Sequence, residues 1–189
     1  MNKSKFWLFL LASVVAMGCS NSDDGNPIDT PDLSKLKSEL EGKVQNLSGA
    51  IFDQEMGFDK AKAEELLQVY ITYTNQFHDD SKTCDYRVKA AELAQNLGKY
   101  QQAIELYKNV SEGCPTHDLA PQCAFMIAVV YHDYINDRET AKKYYEEFIN
   151  RHPDHYMVPD AQSRIDMLYM TDEEIVRMFE EKIKNEAGS

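Results

Sequence analysis

Apolar side chains along most of the chain recur at spacings of three and four residues, the period of an amphipathic α-helix. The first apolar stripe consists of Leu33, Leu36, Leu40, Val44 and Leu47. Thr30 is placed to cap this helix, with Pro31 at its first position, where a missing N–H costs nothing. A second helical pattern covers residues 59–77. Since the 189 residues include eight Gly and six Pro, the pattern predicts an all-α fold over residues 32–187 rather than a turn-rich β-sandwich.

Two consecutive segments, residues 84–117 and 121–155, repeat the same order of small, aromatic and proline positions. The matching pairs are Ala91 and Ala128, Ala94 and Tyr131, Ala103 and Ala141, Tyr107 and Tyr145, and Pro115 and Pro153. A small residue lets the two helices of a hairpin approach closely, and the aromatic ring one turn later fills the remaining space. The first helices are offset by 37 residues and the second helices by 38. This difference predicts one additional residue in the turn of the second segment.

The repeated pattern resembles the tetratricopeptide repeat, in which helix–turn–helix units of about 34 residues stack into a solenoid. The resemblance implies a short right-handed array of antiparallel helical hairpins. The chain departs from the family pattern at the tryptophan position, which holds Arg87 in one segment and Ala124 in the other. It departs again at the turn glycine, which is Gly98 in the first segment and Asn136 in the second.

The helical pattern continues after the second segment, over residues 157–170. Thr171 and Glu174 then have the spacing of a capping box at the start of a further helix. The apolar face of that helix consists of Ile175, Met178, Phe179 and Ile183. Because its other face carries Glu and Lys side chains, we predict a C-terminal capping helix of the kind that keeps a solenoid end soluble.

The N-terminus has the features of an export signal. Two lysines precede an uncharged run over residues 6–17, which is too short to span a membrane. The run ends in Ala-Met-Gly-Cys, which resembles the lipobox of bacterial lipoproteins. We therefore predict a signal peptide at residues 1–18, acylation of Cys19, and a flexible polar tether at residues 19–31. An ordinary secreted protein that is cut nearby is the alternative.

Further resemblances concern the location of the protein in the cell. Ser20, rather than Asp, follows the cysteine, which by resemblance to lipoprotein sorting favours the outer membrane. Residues 20–24 are acidic like the surface-export signals of Bacteroidetes lipoproteins, or else are a simple polar tether. Residues 144–149 and 151–155 resemble short envelope proteins of the repeat superfamily. These include the repeat domain of the Tol–Pal-associated periplasmic protein and the lipoprotein that helps insert outer-membrane barrels. Together these three resemblances imply an outer-membrane lipoprotein, on the periplasmic face or at the cell surface.

The charge of the chain and its motifs exclude several functions. With 20 basic and 32 acidic residues, the formal net charge is −12, which disfavours both nucleic-acid binding and attachment to anionic lipid through charge. The sequence has no zinc-protease, phosphate-loop or serine-hydrolase motif. Adjacent carboxylates such as Asp79 and Asp80 are typical of a solvated surface. We therefore predict a protein that is not an enzyme and that binds no cofactor or metal.

Three cysteines besides Cys19 map to one edge of the predicted hairpins. Disulfides persist in exported proteins, and we favour a Cys84–Cys114 bond, with Cys114–Cys123 as the alternative and three reduced thiols as a third possibility. A zinc site that combines two of these cysteines with His117 lacks the usual CxxC spacing.

The resemblance also implies a binding surface. Tetratricopeptide arrays bind peptides in a concave groove that is lined by the first helix of each repeat. By position, the groove residues are Asp85, Val88, Glu92, Gln95, Asn96, Gln122, Phe125, Val129, His132 and Asp133. This groove would be polar and acidic, and it would prefer a basic or neutral peptide. The alternative is a surface that is merely solvated or is covered by the N-terminal helix.

We therefore predict a non-catalytic interaction or scaffold lipoprotein of the outer membrane, acting in envelope assembly or in an envelope complex. Its partner would be an envelope protein or a peptide segment, and its lipid would attach it to the membrane. The alternative is a surface-exposed lipoprotein that binds peptide or glycan for a nutrient-uptake system.

Overall fold

The structure, a computed structural model, describes residues 32–53 and 57–187. Its helices are α1 (Leu33–Ser48), α2 (Lys60–Gln76), α3 (Thr83–Asn96), α4 (Tyr100–Ser111), α5 (Ala120–Val129), α6 (Arg138–Arg151), α7 (Val158–Met167) and α8 (Asp172–Ala187). The signal peptide, the acylated Cys19 and the tether predicted for residues 1–31 lie outside the described residues. None of the helices described is both long enough and apolar enough to cross a membrane.

The helices form a linear array in which each packs against its neighbour in sequence, from α1 through α7. The pairs α1/α2, α3/α4 and α5/α6 are helical hairpins, so the all-α array predicted from the sequence is confirmed. One feature of the array was not predicted. Between α1 and α2 the chain makes a small antiparallel pair of strands, β1 (Phe52–Asp53) and β2 (Gly57–Phe58), in which Phe52 lies opposite Phe58.

Small residues sit where the helices of each hairpin cross. Among the alanines with no exposed surface in the two repeated hairpins are the five matched by spacing: Ala91, Ala94, Ala103, Ala128 and Ala141. Tyr107 and Tyr145 lie one turn after Ala103 and Ala141, on the second helix of each hairpin, and are 2% and 0% exposed. Backbones approach at the alanines and the rings fill the space beside them, which is the packing that the spacing predicts.

The additional residue of the second segment is taken up by a π-helical turn. Residues Val130–Ile135 continue α5 with π-helical hydrogen bonding, which accommodates one more residue than an α-helical turn. The turn then ends at Asn136, whose φ of 59° is left-handed, as is the φ of +75° at the matching Gly98. Asn is one of the few residues that adopts this conformation readily. The loss of the family glycine is therefore compatible with the same turn.

The start of α1 differs from the sequence prediction. Asp32, rather than Thr30, is the N-cap, because its carboxylate accepts hydrogen bonds from the backbone N–H groups of Ser34 at 3.0 Å and Lys35 at 3.3 Å. The helix therefore begins at Leu33, two residues later than predicted. An aspartate is as good a cap as a threonine, so the two candidates could not be separated by residue type alone.

The last helix begins as predicted but does not cap the array. Thr171 N–H donates to Glu174 Oε2 at 2.8 Å, and Glu174 N–H donates to Thr171 Oγ1 at 3.3 Å, which is the expected capping box. A cap should bury its apolar face, yet Phe179 and Ile183 are 46% and 66% exposed. The apolar stripe of α8 therefore lies largely on the surface instead of covering the last hairpin.

Candidate functional site

Two adjoining cavities follow the exposed side of α3, and we call them together the α3 groove. The first, of about 270 Å³, is lined by Ser48, Ile51, Leu66, Tyr70, Lys89, Glu92, Leu93 and Asn96. The second, of about 210 Å³, is lined by Glu92, Gln95, Asn96, Tyr107, Gln122 and Met126. Glu92 and Asn96 belong to both cavities. They are four residues apart on α3, so their side chains stand one turn apart between the two cavities.

Glu92 is the charged centre of the α3 groove. The residue as a whole is exposed, but partial burial of its carboxyl group raises the pKa, and the nearby Lys89 opposes that shift. Among the described residues no cation lies within 4 Å of the Glu92 carboxylate, and Lys89 Nζ instead sits 5.8 Å from the centre of the Tyr86 ring. A carboxylate that is accessible from solvent and has no close counter-ion can receive a cationic group from a ligand.

Hydrogen bonds hold the polar wall of the second cavity in place. The Tyr107 hydroxyl donates to Gln95 Oε1 at 2.9 Å, and Gln95 Nε2 donates to the Tyr134 hydroxyl at 3.3 Å. This chain of bonds links α4, α3 and the π-helical turn. The amide of Gln95 is therefore oriented by the protein, while Asn96 and Gln122 remain able to pair with a ligand.

Three of the predicted groove residues are core residues, and their assignment to the groove was wrong. Val88, Phe125 and Val129 are 5%, 2% and 8% exposed. The Phe125 ring lies 5.5 Å from the Tyr145 ring. Apolar side chains on the first helix of each hairpin turn toward the second helix because burial there removes them from water. The structure thus leaves a groove that is more polar at α5 than the sequence predicts.

The end of the predicted groove at the π-helical turn is occupied by α7. Arg164 Nη1 lies 3.3 Å from an Asp133 carboxylate oxygen and 3.4 Å from the Tyr145 hydroxyl. His132 is half-buried, its ring centre 6.2 Å from that of Tyr145, and burial lowers the pKa of its imidazole. His132 and Asp133 therefore contribute to packing between α5, α6 and α7 rather than to the α3 groove.

Asp85 lies at the other edge of the hairpin, beside the disulfide. Its carboxylate is 2.9 Å from His117 Nε2, while His117 Nδ1 accepts the backbone N–H of Leu119 at 3.2 Å. This pattern assigns the imidazole proton to Nε2, so both ring nitrogens have partners. In the described part of the chain, no three His, Cys, Asp or Glu side chains come together as metal ligands.

The structure joins Cys84, at the start of α3, to Cys114, just after α4. The two Cα atoms are 6.1 Å apart, within the usual range for a disulfide. Among the described cysteines, Cys123 is unpaired and only 2% exposed, and burial raises the pKa of its thiol to about 12. Cys123 is therefore a core side chain that stays protonated at neutral pH.

A larger cavity, of about 610 Å³, lies between α2 and α4 and contains none of the predicted groove residues. Its lining mixes charges of both signs, including Arg87 on α3 and Glu105 and Lys108 on α4. Arg87 stands where the sequence resemblance expects a tryptophan, and its Nη1 lies 3.7 Å from Cys114 Sγ. The arginine thus packs against the disulfide.

Several residues of the α3 groove were missed at the sequence level. Met126 follows the predicted Gln122 by one helical turn, so a stricter use of helical spacing would have included it. Tyr107 was assigned to the core, which is correct for its ring, but its hydroxyl reaches the groove. The contributions from Ser48, Ile51 and Leu66 carry no sequence signal, because they depend on how α1 and α2 pack against α3.

Comparison with known families agrees with the repeated hairpins. Residues 122–155 match the tetratricopeptide repeat family, and these residues form α5, the π-helical turn, α6 and the loop after it. No curated protein matches the chain. Tetratricopeptide repeats generally mediate protein–protein interaction and are not catalytic. This chain therefore contains a tetratricopeptide repeat, within a helical array that extends to both sides of it.

Proposed function

We propose that this protein is a non-catalytic scaffold lipoprotein of the outer membrane that holds a segment of an envelope protein in the α3 groove. The observation that carries the proposal is Glu92, an exposed carboxylate at the junction of the two cavities with no cation of the described residues within 4 Å. The repeat family supports a protein partner, and the lipobox-like sequence ending in Cys19 supports attachment to a membrane.

The two cavities suggest the chemistry of the bound segment. The first cavity includes Ile51, Leu66 and Leu93, so it favours an apolar side chain. The second is lined mainly by amide and hydroxyl groups, which suit a polar backbone or side chain. Between them, Glu92 favours a lysine or arginine. A short extended segment that carries one apolar and one basic side chain therefore matches the groove best.

The direct test is affinity purification of the full-length protein from cross-linked membranes, followed by identification of the captured proteins. We expect Glu92→Lys to reduce capture of the main partner at least tenfold, because it reverses the charge that faces the ligand. Glu105→Lys is the matched control, since Glu105 is an exposed glutamate on α4 in the separate larger cavity. Equal capture by both variants would show that the groove is not used. Recovery of no envelope protein would contradict the scaffold role.

The membrane attachment needs its own measurement. Mass spectrometry of the mature N-terminus should find a lipid-modified Cys19, and an unmodified cysteine would contradict the lipoprotein proposal. Protease added to intact cells then distinguishes the two faces of the outer membrane. Protection supports a periplasmic scaffold, whereas cleavage favours the alternative, a surface-exposed ligand-binding lipoprotein.

A further inference from the structure

Three apolar side chains form an exposed line along α8. Val176, Phe179 and Ile183 are 56%, 46% and 66% exposed, whereas Ile175 and Met178 are partly covered. The spacing of the exposed three is three and then four residues, which is the spacing of the a and d positions in a coiled coil. The line is therefore shaped to pack against another helix.

The polar residues beside this line have alternating charge. Glu173, Arg177, Glu180 and Lys184 follow one edge of the apolar line, at helical spacings of four, three and four. All four side chains are exposed. Read in order, their charges are negative, positive, negative and positive. Reversed, the same series is positive, negative, positive and negative.

This series is complementary to itself only when the direction of the helix is reversed. In an antiparallel pair of identical helices, the same edge of each helix faces the other. Glu173 then lies level with Lys184 of the second copy, and Arg177 lies level with Glu180 of the second copy. Both alignments belong to one register, whose two-fold axis passes between Met178 and Phe179. That register also places the two Phe179 side chains beside each other at the centre.

We propose that α8 is a homodimerisation helix, which pairs antiparallel with α8 of a second copy of this chain. The interface is symmetric, with a centre of Val176, Phe179 and Ile183 and a flank of two kinds of ion pair, each made twice. The proposal is independent of the α3 groove, because none of these residues lines either groove cavity.

The size of the surface sets the expected strength. Three side chains from each copy cover far less than the roughly 800 Å² per partner that is typical of stable complexes. We therefore expect a reversible dimer with a dissociation constant on the order of micromolar, rather than a permanent one. Its formation should weaken as salt screens the flanking ion pairs.

The test uses reversed charges at the pair that Arg177 and Glu180 form across the axis. Arg177→Glu brings two glutamates together at each pair in its own homodimer, and Glu180→Arg brings two arginines together. A mixture of the two variants restores opposite charges at both pairs. We therefore expect the wild type to self-associate, each variant alone to bind itself at least tenfold more weakly, and the mixed variants to associate about as well as wild type.

Differently tagged copies of the full chain, purified and mixed, allow co-precipitation to measure association while light scattering gives the mass. Recovery on mixing excludes a folding failure, since misfolded chains would not regain binding. A monomeric wild type, self-association that both variants retain, or no recovery on mixing would each overturn the proposal. Binding of a monomeric wild type to lipid vesicles would assign the apolar line to the membrane instead, and this would also overturn it.

Discussion

Removal of the Cys84–Cys114 disulfide should be the most destabilising covalent change available in the described part of the chain. The bond closes a sequence separation of 30 residues. In the chain-entropy description, such a cross-link removes about 12 cal/mol/K from the unfolded ensemble, which corresponds to about 3.6 kcal/mol at 25 °C. For a domain of this size, that loss lowers the melting temperature by roughly 7–14 °C.

The double variant Cys84→Ser/Cys114→Ser is the clean perturbation, because a single replacement would leave one partner thiol free to pair wrongly. Urea unfolding followed by circular dichroism, with and without reductant, measures the free energy of unfolding. Wild type under reducing conditions and the double variant should agree with each other and lie about 3–4 kcal/mol below oxidised wild type. Reductant should not change the double variant further, which is its internal control.

A loss below about 1 kcal/mol would refute this reasoning, because it would mean that the unfolded chain is hardly constrained by the bond. A large loss in the double variant that reductant does not reproduce in wild type would also refute it. That result would assign the loss to the replaced side chains rather than to the cross-link.

Three further measurements follow from individual groups. The Lys37 ammonium lowers the pKa of Asp80 to about 2, so its stabilising contribution is complete above the ordinary value of 3.8 and disappears as pH falls toward 2. Acid unfolding of Asp80→Asn should lack this dependence, and an unchanged pH profile would contradict it. Gly42 lies inside α1, and a Cβ added to it would meet no atom within 4 Å apart from the adjacent backbone of its own helix, so Gly42→Ala should gain about 0.5–1 kcal/mol in thermal melts. In the same melts, Gly113→Ala should lose about 1–3 kcal/mol, since its Cβ would come 2.6 Å from a backbone carbonyl oxygen of α4; equal effects would be contrary to expectation. Cys123 should react with iodoacetamide only after denaturation, because its thiol is buried and has a pKa of about 12; rapid labelling of the native protein would disprove this.

At the candidate site, helical register predicted the polar groove residues correctly but not the apolar ones. Glu92, Gln95, Asn96 and Gln122 were assigned to the groove by position, and the structure places all four on the α3 groove. The apolar residues assigned in the same way, such as Phe125, are buried instead. Register fixes the angle between two side chains around the helix axis. The rotation of the whole helix against its neighbours decides which side of the helix faces the groove.

The packing of the last helix, α8, likewise could not be predicted from local sequence features. Its capping box and its apolar stripe are local features, and both were visible in the sequence. Whether the predicted stripe of Ile175, Met178, Phe179 and Ile183 covers the preceding hairpin depends on the angle at which α8 leaves α7. In the structure Ile175 and Met178 are partly covered, whereas Phe179 and Ile183 stay exposed.

The sequence by itself determined the helices, the repeated hairpins and the extra residue of the second hairpin. These depend on short-range periodicity, on small residues at crossing points and on a difference of one in spacing, which all act within a few turns of helix. Tertiary structure alone decided that the extra residue becomes a π-helical turn and that two cavities meet at Glu92, and it chose the favoured Cys84–Cys114 pairing over the alternatives that the sequence left open. Each of these depends on distances between helices that are far apart in sequence. Such distances are set by the packing of the whole array, which no local pattern specifies.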